Sequence, residues 1–585
     1  MKSLKLDAYA LAQRYMEDHA YCLDPLIQNK VLGMVRARDY AGLADVTSHF
    51  DMLSLDVNHW KVLRQVRAFF SKNADFADDS KCLDAALSSF ERGERICRIT
   101  NRRLDYYYTH PHRMDPELVK VVAKAQRYIA EVLGSFSEFR GNIPSLLTVT
   151  SGATARTPRS QSLPFQKLGR EVAVTPQCSK YLKAAFRTFG YRPPRENRIA
   201  WNRVTFVSKT WKTHRTIACE PAGNVPFQLA FDAWVKNGLR RFGYDLSDQV
   251  WNQRLAFKGS LDGAYATIDL SMASDTLAYN TVAWLVPCEW FKYLCDTRSP
   301  LFMLNGVTRK YAKFSSMGNG ATFALETLIF SAIVNAIVPR SDETAVYGDD
   351  IVVPTRFAPQ VMKALRFFGF VPNEEKSYLA GPFRESCGAD FFRGQNITPF
   401  YLRRTDAWDK PYAAHNVNGL VQCSMPMGKT WDYLADFVVN KGLRLCPIGY
   451  DTQAGVFIHP FHAYSKGLIR LNKRGILQTK QYSRKGRTVE CVDSRSLALW
   501  HLRKMSAGIA DTPVGRLSIS DLDQFALEHS KYTSTLVESS RYTSSDDTKY
   551  VQKWCSWVYN PAMGSSDQLF SWSERLNSQI EKSMS

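Results

Sequence analysis

The sequence lacks the patterns that mark several common protein classes. Its 12 cysteines include no Cys-x-x-Cys pair and no Cys/His cluster at zinc spacing, so neither a structural zinc site nor a disulfide framework is predicted. The longest apolar run, Leu328 to Val338, is interrupted by Ser331 and Asn335 and is shorter than the roughly 20 residues that a membrane span needs. The first 20 residues contain no apolar signal core. We therefore expect a cytosolic protein with reduced, buried thiols and no membrane segment.

A phosphate-binding loop of the Walker type, Gly-x-x-x-x-Gly-Lys-[Ser/Thr], is also missing, which argues against an ordinary phosphotransferase. What the chain has is size and positive charge. Its 585 residues predict three or four structural units at about 150 residues each. Lys and Arg number 76 against 56 Asp and Glu, a formal charge of +20, so nucleic acid is the leading candidate partner. A generic basic surface is the alternative.

Two adjacent carboxylates, Asp349 and Asp350, lie between apolar runs. Thr344-Ala345-Val346 precedes Tyr347-Gly348-Asp349-Asp350 and Ile351-Val352-Val353 follows it, which predicts a strand, a two-residue turn and a second strand. The carboxylates would then lie at the tip of a hairpin. Acidic turn residues are common in hairpins without chemical function, because Gly and Asp tolerate positive φ angles. The pattern alone leaves both interpretations open.

A second acidic strand end lies upstream, where the short strand Ala266-Thr267-Ile268 is followed by Asp269. Three carboxylates at neighbouring strand ends would make a divalent-metal site. Two hard cations about 4 Å apart serve phosphoryl and nucleotidyl transfer, and Mg²⁺ prefers oxygen ligands. Without a metal the carboxylates would repel one another, so we expect an empty site to be poorly ordered or partly protonated.

Small polar residues follow Asp269 in the string Leu270-Ser271-Met272-Ala273-Ser274-Asp275. The string has no aromatic residue, so it leaves room for a ribose 2′-hydroxyl and offers hydrogen bonds to it. This favours ribonucleotides over deoxyribonucleotides. The alternative is a helix N-cap, for which Ser271, Ser274 and Asp275 are all well suited.

The segment Phe314 to Glu326 is a Gly-rich loop that leads into an apolar helix, and it lies between the two acidic strand ends. Gly318 and Gly320 allow the backbone to approach a ligand closely. Thr322 and Glu326 are four residues apart and share one face of the predicted helix. A plain loop-to-helix junction has the same pattern.

The stretch from Trp201 to Arg215 carries cations and no acid. A strand followed by a basic turn and the strand Thr216 to Cys219 is predicted. Lys209, Lys212 and Arg215 recur every three residues, so they would line one edge of a hairpin and could grip a triphosphate. A solvated basic face is the alternative. Residues 466 to 487 hold eight further cations and no acid, a candidate track for a nucleic-acid backbone or a basic loop.

The order of these elements resembles the successive motifs of viral RNA-dependent RNA polymerases. It runs from the basic strand through the Asp-ended strand, the Gly-rich loop and helix, and the acidic hairpin to a downstream Lys376. More narrowly, they resemble the replicase subunit of small positive-strand RNA bacteriophages. The strings that carry this resemblance are Asn252-Gln253-Arg254, Ile268-Asp269-Leu270-Ser271, Ser316-Met317-Gly318-Asn319-Gly320, Tyr347-Gly348-Asp349-Asp350-Ile351 and Pro382-Phe383-Arg384-Glu385-Ser386-Cys387-Gly388. Together they span about a third of the chain, residues 205 to 405.

The resemblance implies an α+β right-hand fold with fingers, palm and thumb. The N-terminal region and fingers would occupy residues 1–258, with the basic triphosphate-binding strand at 203–219. The palm would occupy 259–410, and the thumb with the C-terminal region 411–585. It also implies copying of a single-stranded RNA genome from ribonucleoside triphosphates, without a primer. The implied partners are the RNA template and product, host translation elongation factors Tu and Ts, and a small-subunit ribosomal protein, in the cytoplasm of the bacterial host.

The resemblance further implies roles for single residues. Asp269 and Asp349 would bind two Mg²⁺ ions, for which Mn²⁺ can substitute, and Asp350 and the Leu270 carbonyl would assist. Lys376 would donate a proton to departing pyrophosphate, with an exposed loop lysine as the alternative. The implied nucleotide-binding residues are Lys209, Lys212, Arg215, Ser271, Ser274, Asp275, Ser316, Gly318, Asn319 and Thr322.

Two departures from the wider polymerase pattern weaken the assignment of sugar recognition. Many relatives have Asn four residues after the helix Thr, where this chain has Glu326. The second acid often lies five residues after the first, where this chain has Ser274, with Asp275 one position later. A reverse transcriptase typically has an aromatic gate against ribose, which is absent after Asp269. A non-catalytic RNA-binding protein would explain the charge but not the ordered carboxylates.

Overall fold

The computed structural model describes residues 4–51, 54–150, 152–158, 167–168, 171–188, 193–407, 409–423, 428–449, 451–484, 487–490, 535–538, 550–557 and 566–584. Helices and short, mostly antiparallel strands alternate along the chain, so the predicted α+β class is confirmed. No helix within these ranges combines the length and the apolar character that crossing a membrane requires.

The helices are, in chain order, α1 (Ala8–Asp18), α2 (Pro25–Arg36), α3 (Tyr40–Ala44), α4 (Val57–Phe70), α5 (Asp79–Thr109), α6 (Pro116–Leu133), α7 (Phe136–Leu146), α8 (Ser179–Thr188), α9 (Val225–Arg241), α10 (Val250–Asp262), α11 (Tyr279–Leu285), α12 (Cys288–Thr297), α13 (Thr322–Ile337), α14 (Ala358–Phe367), α15 (Lys410–Cys423), α16 (Gly428–Lys441), α17 (Pro460–Ser465) and α18 (Ser566–Met584).

The strands are β1 (Leu4–Lys5), β2 (Glu171–Val174), β3 (Arg195–Arg198), β4 (Trp201–Ser208), β5 (His214–Cys219), β6 (Tyr265–Ile268), β7 (Leu270–Ser271), β8 (Leu301–Leu304), β9 (Val307–Lys310), β10 (Ala345–Tyr347), β11 (Asp350–Pro354), β12 (Val371–Pro372), β13 (Phe383–Ser386), β14 (Ala389–Phe392), β15 (Gln395–Asn396), β16 (Asp406–Ala407), β17 (Leu445–Pro447), β18 (Val456–Ile458), β19 (Ile469–Leu471), β20 (Leu477–Arg484), β21 (Arg487–Glu490), β22 (Thr535–Glu538) and β23 (Tyr550–Ser556).

The N-terminal helices begin after side chains that cap them. A carboxylate or hydroxyl oxygen just before the helix accepts hydrogen bonds from backbone N–H groups of the first turn, which otherwise have no partner. The capping residues are Asp7, Asp24, Asp39, Asp56, Asp78, Asp115 and Ser135. In α2 and α6 a proline follows the cap, where its fixed φ suits the first helical position.

Two large hydrophobic cores hold the described part of the fold together. The larger one surrounds α13, which is buried along nearly its whole length and packs against α6 and α9. The second core joins helices α1 to α4 to residues 402–463 and to α18. The two ends of the described chain therefore share one core, although the sequence division places them in separate units.

A three-stranded antiparallel sheet of order β10-β11-β6 lies on the larger core. Ile351 and Val352 of the central strand pair with Ile268 and Thr267 of β6. A second sheet, of order β5-β4-β8-β9, carries the basic hairpin. Gly318 allows the Gly-rich loop to pack closely against β5 of the second sheet. Its φ is +110°, and an added Cβ would lie 2.3 Å from the Ala218 carbonyl oxygen.

Candidate active site

The predicted acidic hairpin is present. Strands β10 and β11 pair antiparallel with Tyr347 opposite Asp350, so Gly348 and Asp349 form the two-residue turn. Gly348 has φ +60°, and its N–H donates to Thr327 Oγ1 of α13 at 3.0 Å. The ring of Phe323 packs 5.1 Å from that of Tyr347. Helix α13 thus fixes the turn that carries the exposed carboxylate of Asp349.

The first acidic strand end lies beside this hairpin. Asp269 follows Ile268, which pairs with Ile351, so it leaves the sheet next to Asp350. A later turn holds it in place. Asn373 Nδ2 donates to Asp269 Oδ2 at 3.0 Å, and the Asp269 N–H donates to Ser377 Oγ at 3.2 Å. The sequence predictions did not include Asn373 or Ser377, although an Asn that opens a turn beside Lys376 was a usable signal.

The carboxylates act on one another electrostatically. Burial raises the pKa of Asp269, and the charge of Asp349 raises it further, while Lys376 and the Asn373 hydrogen bond lower it. Burial also raises the pKa of Asp350 to about 7, with contributions from Asp349 and Asp269 and against a hydrogen bond from the Cys387 N–H. Burial is the main cause of this raised pKa, and the charge repulsion expected from the sequence adds a smaller contribution.

The three predicted carboxylates do not form a complete set of metal ligands in this structure. Within the described residues, no group of three or more His, Cys, Asp or Glu side chains is arranged to hold a metal ion. Asp349 is exposed in the turn, whereas Asp350 is half-buried and accepts the Cys387 N–H. The donors nevertheless suit a hard divalent cation, because they are carboxylate oxygens. Burial raises the pKa of Asp269 and Asp350, and the neighbouring negative charge of Asp349 raises both further.

Of the three cations predicted in a row, Lys209 lies within electrostatic reach of this site. Desolvation lowers the pKa of Lys209. The positive charges of Arg215 and Lys376 lower this pKa further, whereas the negative charges of Asp269 and Asp349 raise it. Lys209 and Lys376 therefore lie within electrostatic reach of the carboxylates, and Arg215 acts electrostatically on Lys209. Lys212 does not join them, because its Nζ forms an ion pair with Asp45 at 2.5 Å.

The small polar residues after Asp269 do not cap a helix, so that alternative was wrong. Ser271 ends β7, and the short 3-10 turn Ser274–Thr276 follows Ala273, with no side-chain cap. The next helix, α11, starts after Ala278 and has no side-chain cap either. Asp275 instead accepts a hydrogen bond from the buried Lys313 Nζ at 2.6 Å. An ion pair with a distant cation outweighs the local preference for capping.

The Gly-rich loop is built by its own polar side chains. Thr322 Oγ1 donates to the Ser316 carbonyl at 2.8 Å and also contacts Ser315 Oγ. Asn319 Oδ1 accepts from the Ala321 N–H at 2.9 Å. Gln228 of α9 anchors the loop from outside, accepting from the Gly320 N–H at 2.9 Å. Ser316, Asn319 and Thr322 are thus buried, and they take part in hydrogen bonds within the loop.

Glu385 is a further acidic residue at this site, and it lies inside the string Pro382 to Gly388. It pairs with Asp390 across β13 and β14. Its charge raises the pKa of both Asp269 and Asp350. The unusual string was the signal for it, but its role could not be deduced from spacing.

An α+β fold in which acidic strand ends meet a basic hairpin and a Gly-rich helix start is the arrangement expected of a nucleic-acid polymerase. The chain matches the family described as RNA replicase, beta-chain, over residues 37–408. This match covers more than half of the chain, so the chain belongs to that family, and the predicted resemblance is confirmed. The match also reaches further towards the N-terminus than the motifs from which it was predicted.

Individual relatives agree. The chain is 36% identical over 420 residues to the RNA-directed RNA polymerase subunit beta of Escherichia virus Qbeta, covering 68% of this chain and 70% of that protein. It is 40% identical over 327 residues to the corresponding subunit of Enterobacteria phage SP, covering 55% and 57%. With the RNA-directed RNA polymerase beta chain of Escherichia phage MS2 it shares 37% over 295 residues, covering 48% and 54%. The chain thus spans little more than half the length of the SP and MS2 proteins.

Two solved structures share a partial likeness with the chain. One is the RNA-dependent RNA polymerase of BmCPV at the elongation state, with a TM-score of 0.37 and 10% identity, covering 56% of this chain and 33% of that one. Another is the RNA-dependent RNA polymerase of a human picorbirnavirus, with a TM-score of 0.29 and 16% identity, covering 41% and 55%.

Proposed function

We propose that this chain is an RNA-directed RNA polymerase that copies a single-stranded viral RNA genome from ribonucleoside triphosphates, starting without a primer. One observation carries the proposal. In a chain of the replicase family, Asp269 leaves β6 beside the turn that presents Asp349 and Asp350, and the charges of these residues act on one another. Nucleotidyl transfer requires such a concentration of oxygen ligands next to cations that attract a triphosphate.

The acidic residues would bind the metal ions, and a lysine would supply a proton. Asp269 and Asp349 would hold two Mg²⁺ ions, or Mn²⁺ in their place, with help from Asp350 and the carbonyl of Leu270. These ions, when bound, supply activation of the attacking 3′-hydroxyl and charge neutralisation at the leaving phosphate. The charge of Lys376 lowers the pKa of Asp269, and Lys376 would donate a proton towards departing pyrophosphate.

The nucleotide would lie between the basic hairpin and the Gly-rich loop. Lys209 and Arg215 would bind its triphosphate, Arg215 bidentately and Lys209 as a point charge. Lys212 would act at most at long range, because Asp45 already pairs with it. The loop residues Ser316, Gly318, Asn319 and Thr322 would shape the wall of the nucleotide site, and Ser271, Ser274 and Asp275 would line the side that meets the sugar.

The rest of the chain would supply the RNA path. In the proposed division, residues 1–258 form the N-terminal region and fingers, 259–410 the palm, and 411–585 the thumb and C-terminal region. Exposed cations on and around the β19–β20 hairpin, such as Lys466, Lys473 and Arg474, would follow the RNA backbone. The active complex would form in the cytoplasm of the bacterial host with elongation factors Tu and Ts and a small-subunit ribosomal protein.

The test is incorporation of labelled ribonucleotides on a single-stranded RNA template with magnesium, using the complex purified from its host. Asp349→Asn should abolish template-dependent product while RNA binding stays unchanged. Asp342→Asn is the matched control, since its carboxylate pairs with Arg356 at the surface, and it should keep full activity. An RNA-binding protein without catalysis would give no product from any variant, and a reverse transcriptase would prefer deoxyribonucleotides. Either result would refute the proposal.

A further inference from the structure

A row of arginines lies on the outer face of the long helix α5. Arg92, Arg95, Arg98 and Arg102 follow one another at intervals of three or four residues, which is the spacing of neighbours on one helix face. All four are exposed. Among the described residues, none of the four has an ion-pair partner or a side-chain hydrogen bond. These four residues form the arginine stripe.

Acidic residues near the arginine stripe do not balance its charge. Glu94 is the one acid within the stripe, and it is buried, with Oε2 accepting from the Ala312 N–H at 2.7 Å. Glu91 is exposed and directly precedes the stripe. Asp105 follows the stripe and accepts a hydrogen bond from Asn280 Nδ2 at 2.7 Å. The stripe therefore presents a net positive charge to the solvent.

The opposite face of α5 packs against the protein itself. Gly93 and Cys97 are buried on this face. Cys97 Sγ lies 3.4 Å from the Asp275 carbonyl oxygen, and a Cβ added to Gly93 would lie 2.8 Å from the same oxygen. The polar string after Asp269 is therefore covered by the inner face of α5, and the arginine stripe lies on the other side of the helix, outside the candidate active site.

Two stacked aromatic rings continue the arginine stripe. Tyr106 follows Arg102 by four residues, so it shares the same face, and it is 49% exposed. Its ring lies nearly parallel to that of the exposed His110, at an angle of 18° and with 4.6 Å between the ring centroids. At about 1.5 Å per residue, the surface from Arg92 to Tyr106 is about 20 Å long. A charged row and an aromatic end thus form one continuous face.

We infer that the outer face of α5 is an additional RNA-binding surface, which holds single-stranded RNA outside the active site. Each guanidinium of the arginine stripe can donate two parallel hydrogen bonds to one phosphate group. Tyr106 and His110 offer flat faces on which unpaired bases stack. Proteins that bind single strands combine these two features, a row of positive charges for the backbone and aromatic rings for the bases.

An acidic protein fits this face less well than RNA does. The centre of a protein interface is apolar and depleted of charged residues. The arginine stripe has the opposite composition, because Ile99 is the only large apolar side chain that is exposed within this fully described part of α5. The choice of RNA as the ligand rests on the proposed function, whereas the surface itself lies apart from the catalytic carboxylates.

The first test is the affinity of the complex, purified from its host, for a single-stranded oligouridylate of about 30 nucleotides. The stripe variant combines Arg92→Gln, Arg95→Gln, Arg98→Gln and Arg102→Gln, and it keeps the helix because Gln and Arg have similar helix propensities. Its Kd should rise at least about tenfold at about 0.15 M salt. The slope of log Kd against log salt should become shallower by about 3, at about 0.7 for each phosphate contact that is lost.

The matched control removes the same number of charges from four other helices. Arg36, Arg127, Arg140 and Arg187 are exposed on α2, α6, α7 and α8, and changing all four to Gln alters the net charge equally. The Kd of this control should stay within about twofold of the wild type. An equal rise in Kd for both variants would overturn the inference, because RNA would then respond to net charge alone. If the stripe variant does not fold, two of its substitutions are compared with two of the control's.

Tyr106→Ala tests the stacking of bases. Its Kd for the oligouridylate should rise about tenfold, while its Kd for duplex RNA of the same length should stay unchanged, because paired bases are already stacked. Tyr21→Ala removes a ring that is 74% exposed on another part of the chain, and it should change neither Kd. Equal effects of Tyr106→Ala on single and double strands would overturn the stacking role.

The same preparations decide between RNA and a protein as the occupant. A stripe variant that loses a protein companion during purification but binds the oligouridylate like the wild type would overturn the inference and assign the face to an acidic protein. Failure of the polymerase function gives a different result. A complex that incorporates no nucleotide, yet loses oligouridylate affinity only in the stripe variant, would refute the polymerase and support the surface. An active polymerase whose affinity is unchanged in the stripe variant would overturn this inference alone.

Discussion

Asn373 donates a hydrogen bond from Nδ2 to Asp269 Oδ2 at 3.0 Å, across a separation of 104 residues. The same two residues also form a backbone hydrogen bond, in which the Asn373 N–H donates to the Asp269 carbonyl at 2.9 Å. Asp269 thus leaves its strand with both its side chain and its backbone held by a turn from another part of the chain. A carboxylate that is held in this way would lose less conformational freedom when it binds a cation.

Asn373→Ala should lower polymerase activity about tenfold at pH 7, by analogy with other residues that orient metal ligands. The hydrogen bond from Asn373 lowers the pKa of Asp269, so its removal raises that pKa. The carboxylate must be ionised to act, and the acid side of the pH–rate profile should therefore move to higher pH. Asn142→Ala removes a surface asparagine whose Nδ2 donates to the Glu138 carbonyl, and it serves as the control. A profile that keeps its position would contradict the orienting role.

Local patterns predicted the elements that carry the site. The Tyr347 to Asp350 hairpin and the Asp269 strand end follow from apolar runs, a turn glycine and strand length, all of which lie within a few residues. The basic hairpin was predicted for the same reason, and β4 pairs with β5 as expected. Such features need no knowledge of distant contacts.

Long-range contacts explain what could not be predicted. The regular spacing of Lys209, Lys212 and Arg215 gave no sign that Asp45, 167 positions earlier, would pair with Lys212. In the same way, the capping preference of Asp275 is overridden by Lys313, which is buried and requires a counter-charge. The sequence also could not show that the chain ends share a core, because hydrophobic periodicity identifies a buried face but not its partner.

Asp350 should make the metal-free protein less stable as pH rises. Its pKa is raised in the folded state from 3.8 to about 7, so its contribution to stability is fully present below about pH 3.8 and is lost as pH rises through about 7. Asp350→Asn should therefore raise Tm in EDTA at pH 8 more than at pH 5. Magnesium should stabilise the wild type more at pH 8 than at pH 5, because it binds the ionised form. Equal Tm differences at both pH values would contradict the burial of this carboxyl.

Gly348→Ala should disable the hairpin. An added Cβ would lie 2.7 Å from Phe323 Cε2, and φ +60° is a conformation that a side chain disfavours. We expect the turn to shift and activity to fall by about 100-fold, since small displacements of catalytic groups have effects of this size. Gly263→Ala is matched in φ, at +74°, but has no atom within 4 Å of its added Cβ. It should cost only about 1 kcal/mol of stability and keep activity, as measured by thermal unfolding and nucleotide incorporation.

Lys209 and Arg215 of the basic hairpin should affect nucleotide binding more than Lys212 does. Lys209→Ala and Arg215→Ala should each raise KM for the nucleotide about tenfold, because each removes a charge-assisted hydrogen bond to the triphosphate. Lys212→Ala removes only its surface ion pair with Asp45, worth about 0 to 1 kcal/mol, so KM should stay within about twofold. Steady-state incorporation at several nucleotide concentrations measures all three variants, and Lys212→Ala is the matched control for loss of one positive charge. If all three raised KM equally, the cations would act as one row, and the ion pair to Asp45 would have to break when the nucleotide binds.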